Sequence, residues 1–231
     1  EEILAAGEAL LARRRDFLGK TILVTAGATR ERLDPFRFIT NASTGKMGYA
    51  VAEAALARGA QVVLISGPGE LPPPPGARVR KVESALEMYG AVMEEFPAAD
   101  VVIKAAAVGD YRPAEASPVK IKKDQGELTV TLVKNPDILT ALGQRKGRKI
   151  LVGFAAESNN ILEYAREKLR KKNADLIVAN DITQEGAGFA GDTNVVHLVA
   201  ANGEIESLPV LSKREVADRI LDRVLALSGG R

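Results

Sequence analysis

The feature that most constrains this chain is a regular alternation of short apolar runs with amphipathic stretches. "TILVTAG" (21–27) is a short apolar run ending in glycine, and it reads as a buried strand. "QVVLISGP" (61–68), "DVVIKAAAV" (100–108), "KILVGFAAE" (149–157) and "DLIVAND" (175–181) repeat the pattern. The residues from about Thr44 to Arg58 carry Met47, Ala50, Val51, Ala54 and Ala55 at helical spacing, and Gly59 closes the segment. The chain therefore opens with a βαβ unit, parallel and right-handed. Ser84 and Glu87 form a capping-box pair for a helix to about Phe96. A helix rich in Lys and Arg runs from about Asn160 to Lys172, and Ser212 with Glu215 caps a last amphipathic helix. This alternation predicts a three-layer, Rossmann-like α/β fold, with a mainly parallel sheet and helices on both faces.

Three segments depart from that rhythm. "LTVTLVKN" (128–135) alternates at period two and predicts an exposed strand, available to pair with a second subunit. "NVVHLVAANGEIESLPV" (194–210) predicts an added C-terminal hairpin around Asn202-Gly203. At the start, Ile3, Leu10, Phe17 and Leu4, Leu11, Leu18 recur at sevens, with acids leading and Arg13 to Arg15 following, which predicts a helix. The expected organisation is an N-terminal helix or linker over 1–19 and one domain over 20–231. A start at Glu1-Glu2 without methionine suggests a processed product or an excised domain.

Composition narrows the function classes. A total of 32 Lys and Arg against 30 acids gives a net charge of +2, which argues against bulk electrostatic binding to nucleic acid or an anionic membrane. There is no cysteine, so disulfides, thiolate nucleophiles and thiol metal sites are excluded; a reducing, cytoplasmic location is the expectation. No apolar run approaches a bilayer span, and no signal peptide is visible.

In a parallel sheet, ligands sit beyond the carboxyl ends of the strands, where the loops after residues 26, 66, 107, 156 and 181 should converge. The first of these, "GATRERLDPFRFITNAS" (27–43), is long for such a connection, and long loops in compact domains are often functional. It leads into "TGKMG" (44–48). A Walker loop needs Gly-x4-Gly-Lys-Ser/Thr, but Thr40 and Met47 occupy two of those positions. A helix N-terminus at Ser43, Thr44 and Gly45 could hold an anion. Alternatively, Ser43 or Thr44 caps the helix and the glycines allow close packing. The residues leave both readings open.

Lys168 and Lys172 share a helical face, with Lys171 adjacent, and "PVKIKKD" (118–124) puts Lys120 and Lys122 on one side if extended. Such runs are commonly solvated surface. Two clusters at a sheet's ligand edge would also suit a polyphosphate, as mobile point charges. Asp110 or Asp137 could hold Mg²⁺ beside it, and for Asp137 a capping role competes. Tyr164-x3-Lys168 has the spacing of short-chain NAD(P)-dependent oxidoreductases, the alternative function, but the glycine-rich turn after the first strand is missing. His197 stands alone in the hairpin and reads as structural; "LPPPPG" (71–76) reads as a stiff loop.

In order, "VTAGATRERLDPFRFITNASTGKMG" (24–48), "AAAVGDYRP" (105–113), "KIKK" (120–123), "VKNPDIL" (133–139), "GFAAES" (153–158) and "ANDI" (179–182) resemble the bacterial phosphopantothenoylcysteine synthetases of coenzyme A synthesis. The only departures are the threonine of "NAST" and Lys104 before the alanines, at positions expected to vary. The resemblance implies a CTP-dependent ligase. The carboxylate of 4′-phosphopantothenate displaces pyrophosphate from CTP, and cysteine then displaces CMP from the acyl cytidylate. It implies that Asn41 and Arg37 handle the acyl intermediate near the Ala107 backbone, and that Lys120 serves cytidylate formation. Lys104, Ala105, Ala106, Asp110, Lys120, Pro136, Asp137, Ile138, Leu139, Phe154, Lys168 and Lys172 fall at its CTP site, with Mg²⁺ assigned to Asp110. It further implies a homodimer and a flavin-dependent decarboxylase domain joined before residue 1, with no FMN in this domain.

Overall fold

The computed structural model describes residues 15–122, 126–157, 159–181, 183–184 and 191–229. In chain order the elements are β1 (Thr21–Ala26), β2 (Arg30–Arg32), β3 (Phe38–Thr40), α1 (Lys46–Ala57), β4 (Gln61–Ser66), β5 (Arg78–Lys81), α2 (Ala85–Glu95), β6 (Val101–Lys104), β7 (Tyr111–Pro113) and β8 (Leu132–Lys134). There follow α3 (Ile138–Gly143), β9 (Ile150–Glu157), α4 (Ile161–Lys172), β10 (Leu176–Asp181), β11 (Thr193–Asn194), β12 (Val196–Ala200), β13 (Ile205–Ser207), β14 (Leu211–Ser212) and α5 (Lys213–Ser228).

Eight strands form the main sheet in the order β13-β12-β10-β9-β6-β1-β4-β5. The run β5-β4-β1-β6-β9-β10 is parallel throughout. Counting only those six along the chain, their order is that of the doubly wound dinucleotide folds, and the winding reverses between β1 and β6. The expected C-terminal hairpin is β12–β13, and it extends this sheet antiparallel beyond β10.

Period-two burial sorts the strand residues between two cores. Ile22, Val24, Val62 and Leu64 pack with Val51, Ala55, Ile220 and Leu221 of α1 and α5 on one face. Leu23, Val63 and Ile65 pack with Met88, Val92, Leu142 and Leu169 of α2, α3 and α4 on the other. Each such side chain contributes roughly 1.5–3 kcal/mol when buried, so strands apolar on both faces are held far more firmly than the ribbons described next. Helix α4 is the exception among the helices. It buries only Ala165 and Leu169, which leaves its lysine-bearing side available to the site.

Several expectations need correction. Residues 1–14 lie outside the described residues, and the described end of the expected N-terminal helix, 16–19, is a turn. Its Phe17 is buried in the core beneath the Arg58 guanidinium, 5.0 Å from the ring centre. The helix expected from Thr44 starts at Lys46, and neither Ser43 nor Thr44 is its cap residue: Gly45 is, in the left-handed region at φ 81° and without a side-chain cap. Strand β5 escaped the sequence reading because "RVRK" is polar, which an edge strand with one neighbour tolerates. The alternating segment 128–135 forms a strand only at β8, which pairs with β7 in a separate ribbon. The long loop after β1 folds into a second ribbon, β2–β3. Lys123, Ser158 and Ile182 of the quoted motifs lie outside the described residues.

Candidate active site

The loops after β1 and β6 meet at the winding reversal. Ala28 and Ala107 form a parallel bridge, and the Ala107 N–H donates to Gly27 O at 2.9 Å. Asn41, just past β3, lies over this junction and donates through Nδ2 to Ala107 O at 3.2 Å and Val108 O at 3.3 Å. Beneath it the Ala106 N–H donates to the buried Thr25 hydroxyl at 3.2 Å, while Ala105 is half-buried beside it. Asn41 and Ala107, singled out from the sequence, are thus in contact.

Two cavities flank the junction. One, of about 460 Å³, is lined by Lys104, Asp110, Lys134 to Leu139, Phe154, Lys168 and Lys172. Its four lysines come from three elements: Lys104 ends β6, Lys134 ends β8, and Lys168 and Lys172 lie one turn apart on α4. Helix α3 forms the facing wall, where Asp137 caps it by accepting from Thr140 N at 2.9 Å. Lys172 Nζ ties α4 to this cap, 2.6 Å from Asp137 Oδ2 and 3.0 Å from Thr140 Oγ1. The close approach of α3 to α4 requires Gly143, since a Cβ there would stand 1.9 Å from Lys172 O. The other cavity, of about 490 Å³, lies past β4 and β5 and is lined by Arg30, Tyr49, Ser66, Gly67, Lys81 and Glu83 among others.

The charges in the first cavity perturb each other. Burial, with repulsion from Lys168 and Lys172, pushes the Lys104 ammonium down to about 8, against the opposing pull of Asp137 and Asp110. Its Nζ donates to Ala106 O at 3.1 Å. Burial pushes the Asp137 carboxyl up, but the Lys172 and Thr140 hydrogen bonds outweigh it and the net direction is down. Among the described residues, no three His, Asp or Glu side chains cluster as a metal cage.

Arg37 and Lys120 lie outside both cavity linings. The Arg37 guanidinium is paired with Asp34 at 2.5 Å and donates to Ile121 O at 2.9 Å. The Lys120 ammonium sits 5.2 Å from the Phe36 ring centre. His197 bonds Ser207 across the hairpin at 2.8 Å. Tyr164 is off the cavity lining although Lys168 is on it, so the Tyr-x3-Lys pair does not form one site.

Residues 17–227 match the family model described as the DNA/pantothenate metabolism flavoprotein C-terminal domain. The chain belongs to this family. It is similar to "Coenzyme A biosynthesis bifunctional protein CoaBC" of Bacillus subtilis (strain 168), with 51% identity over 211 residues, 91% of this chain and 52% of that protein. It spans about half the length of the curated relatives it matches. The solved C-terminal domain of a CoaBC protein is 44% identical, with a TM-score of 0.82 over 94% of this chain and 100% of that one. A Cab2 mutant solved with phosphopantothenate-cysteine is 19% identical with a TM-score of 0.74, covering 99% of this chain and 92% of that one, and shows a shared fold.

Within this family member, sequence reasoning passed over the residues that hold the site loops. Asn135 Nδ2 donates to Gly109 O at 2.8 Å, its N–H donates to Asp110 O at 2.8 Å, and its Oδ1 accepts from Arg112 at 3.0 Å. From the other side the buried Thr29 hydroxyl accepts from Gly109 N at 2.9 Å. The signal available was position alone, since Thr29 and Asn135 both stand inside the quoted motifs.

Proposed function

We propose that the chain is a CTP-dependent phosphopantothenate–cysteine ligase acting through an acyl cytidylate. The observation that carries this reading is the pair of cavities either side of the Asn41–Ala107 junction, with four lysines lining one of them. A triphosphate fits the lysine-lined cavity, whose size is within the ordinary range for ligand sites. The second cavity, carrying Arg30 and Lys81, offers room and cations for a phosphorylated acid. The two reacting groups would then meet over the junction.

In the first step a carboxylate oxygen of 4′-phosphopantothenate bonds to the α-phosphorus of CTP, and the bond to the β-phosphate oxygen breaks, releasing pyrophosphate. In the second, the cysteine amine attacks the acyl carbon, loses a proton, and CMP leaves. Two anions must approach in the first step, so cations offset the repulsion and the charge that develops on phosphate. Lys104, Lys168 and Lys172 serve this in the cavity, and Lys120 serves the transfer itself. Asn41, with an amide donor and acceptor, suits the acyl intermediate beside Ala107, and Arg37, at the other end of β3 and paired with Asp34, is assigned to the same intermediate. Cytosine selection is assigned to the backbone around Phe154.

Mg²⁺ takes one or two carboxylates together with substrate phosphates. Asp110 fits this role better than Asp137, whose oxygens are engaged by Lys172 and Thr140. The ion would neutralise phosphate charge during the displacement. Exposed Phe38, Ile39, Tyr111 and Leu132 on the two ribbons suit a homodimer interface. The domain, including Phe17 in its core, would act in the cytoplasm, and the residues before it would lead to a flavin-dependent decarboxylase, in keeping with the bifunctional relatives.

The test is pyrophosphate release with Mg²⁺, 4′-phosphopantothenate and cysteine, comparing CTP with ATP and omitting each component. Release that requires 4′-phosphopantothenate and prefers CTP is expected. No release from folded protein with either nucleotide would overturn the reading.

A further inference from the structure

The turn at Leu33–Arg37 and the segment 117–122 are about 85 residues apart in sequence and tightly joined in space. Ser117 N donates to Leu33 O at 2.9 Å. Asp34 is 1% exposed, and its carboxylate is fully engaged. Oδ1 accepts from the N–H groups of Phe36 and Arg37, both at 2.8 Å. Oδ2 accepts from Arg37 Nε at 3.0 Å, Arg37 Nη2 at 2.5 Å and Ile121 N at 3.1 Å. Arg37 Nη2 in turn donates to Ile121 O at 2.9 Å. Both backbone polar groups of Ile121 are therefore taken by one ion pair, whose carboxylate is buried and whose guanidinium is partly exposed.

The residue before Ile121 is Lys120. Its segment has no regular secondary structure, so no sheet ladder fixes its register. The Asp34 turn also orients Phe36, which is 68% exposed and lies beneath the Lys120 ammonium at 5.2 Å. A cation over an aromatic ring gains about 0.5–1 kcal/mol at an exposed site.

We infer that Asp34 is a positioning residue for Lys120: its buried carboxylate, completed by Arg37 and the Phe36 ring, docks the Ile121 backbone and so sets where the Lys120 ammonium is presented. The inference rests on the role proposed for Lys120 in cytidylate formation. The Arg37 hydrogen bonds hold the Asp34 carboxyl well below the usual carboxylate range, outweighing burial, so the dock is charged at any physiological pH.

The experiment separates the two half-reactions. Pyrophosphate release reports cytidylate formation, and CMP release from presynthesised 4′-phosphopantothenoyl cytidylate plus cysteine reports the second step. Asp34→Asn keeps the shape of the side chain and removes its charge. It should lower cytidylate formation by about 100-fold, the scale set by an ångström of misplacement, with KM for CTP changed less than about threefold. Consumption of the supplied cytidylate should fall much less, by no more than the share of Arg37, which Asp34 also holds. Phe36→Leu, on an exposed side chain that folding does not need, should lower the first step by about two- to fivefold and spare the second. Lys120→Gln is measured alongside. If that variant releases pyrophosphate normally, both the role of Lys120 and this inference fall. If it is inactive while folded Asp34→Asn works as wild type, the inference alone is overturned. Equal loss in both half-reactions would also overturn it, because it marks a general structural role. Should Asp34→Asn unfold, Phe36→Leu decides, and an unchanged first step sinks the inference.

Discussion

Lys104 and Lys120 present the same chemical group from opposite kinds of backbone. Lys104 ends a central strand, paired with Thr25 of β1 on one side and Gly153 of β9 on the other. Lys120 stands in a segment without a ladder, held by a turn through a handful of polar contacts. The lysine cavity is consequently a by-product of packing, and damaging its wall damages the fold. The lysine segment hangs on hydrogen bonds that can be cut while both cores stay intact. Position in the first region is maintained by many small apolar contacts, and in the second by a few strong directional ones.

The largest effect should come from breaking the wall. Gly143→Ala puts a methyl 1.9 Å from Lys172 O, a backbone atom that cannot turn aside, so α3 must move off α4. A loss of about 1–3 kcal/mol is expected in urea unfolding, together with weaker CTP binding because Lys172 and Asp137 separate. Unchanged stability and CTP affinity would show that the wall is more yielding than its packing implies.

Next comes the titration of Lys104, pushed down to about 8 from an ordinary 10.5 by burial first and by Lys168 and Lys172 second. Between these values the unfolded chain binds the extra proton. The Lys104 contribution to stability therefore rises with pH across that window. Binding moves the other way. A triphosphate favours the charged ammonium, so CTP affinity should fall as pH rises through about 8, at most about tenfold per pH unit. Calorimetry in two buffers of different ionisation enthalpy should detect proton uptake on CTP binding near pH 8.5, and Lys104→Gln should abolish it. Uptake that persists in the variant would assign the proton elsewhere.

The smallest effect sharpens the contrast within one helix. Lys171 lies beside Lys172 but faces solvent, paired with Glu167 one turn earlier. Lys171→Ala should cost no more than about 0.5 kcal/mol of stability and leave the KM for CTP unchanged, in steady-state assays at moderate salt.

The doubly wound core was readable because strands buried on both faces and helices with one apolar stripe leave strong periodic signals. Strand β5 was not, since an edge strand needs no apolar face and "RVRK" carries none. Of the cations in the lysine cavity, Lys168 with Lys172 was legible as a cluster, whereas Lys104 entered only through the family resemblance, and Lys120 of the second cluster lies off the lining. The cavity that Lys104 shares with Lys168 and Lys172 was not legible, because β6 and α4 are more than fifty residues apart and meet only through sheet order. Asp34 carries no signal of its own within "RLDPFR", and only its burial against Ile121 distinguishes it from an ordinary turn acid.

The sequence by itself determined the layer architecture, the direction of the sheet and the loops that carry chemistry, because these follow from local periodicity and from the handedness of βαβ units. The tertiary structure alone decided which loops touch. It brought Asn41 onto Ala107, gave Lys104 its shifted proton and set the Asp34 turn under Lys120. Such contacts depend on distances between residues remote in the chain, and a hydrogen bond or a buried charge acts only over a few ångströms.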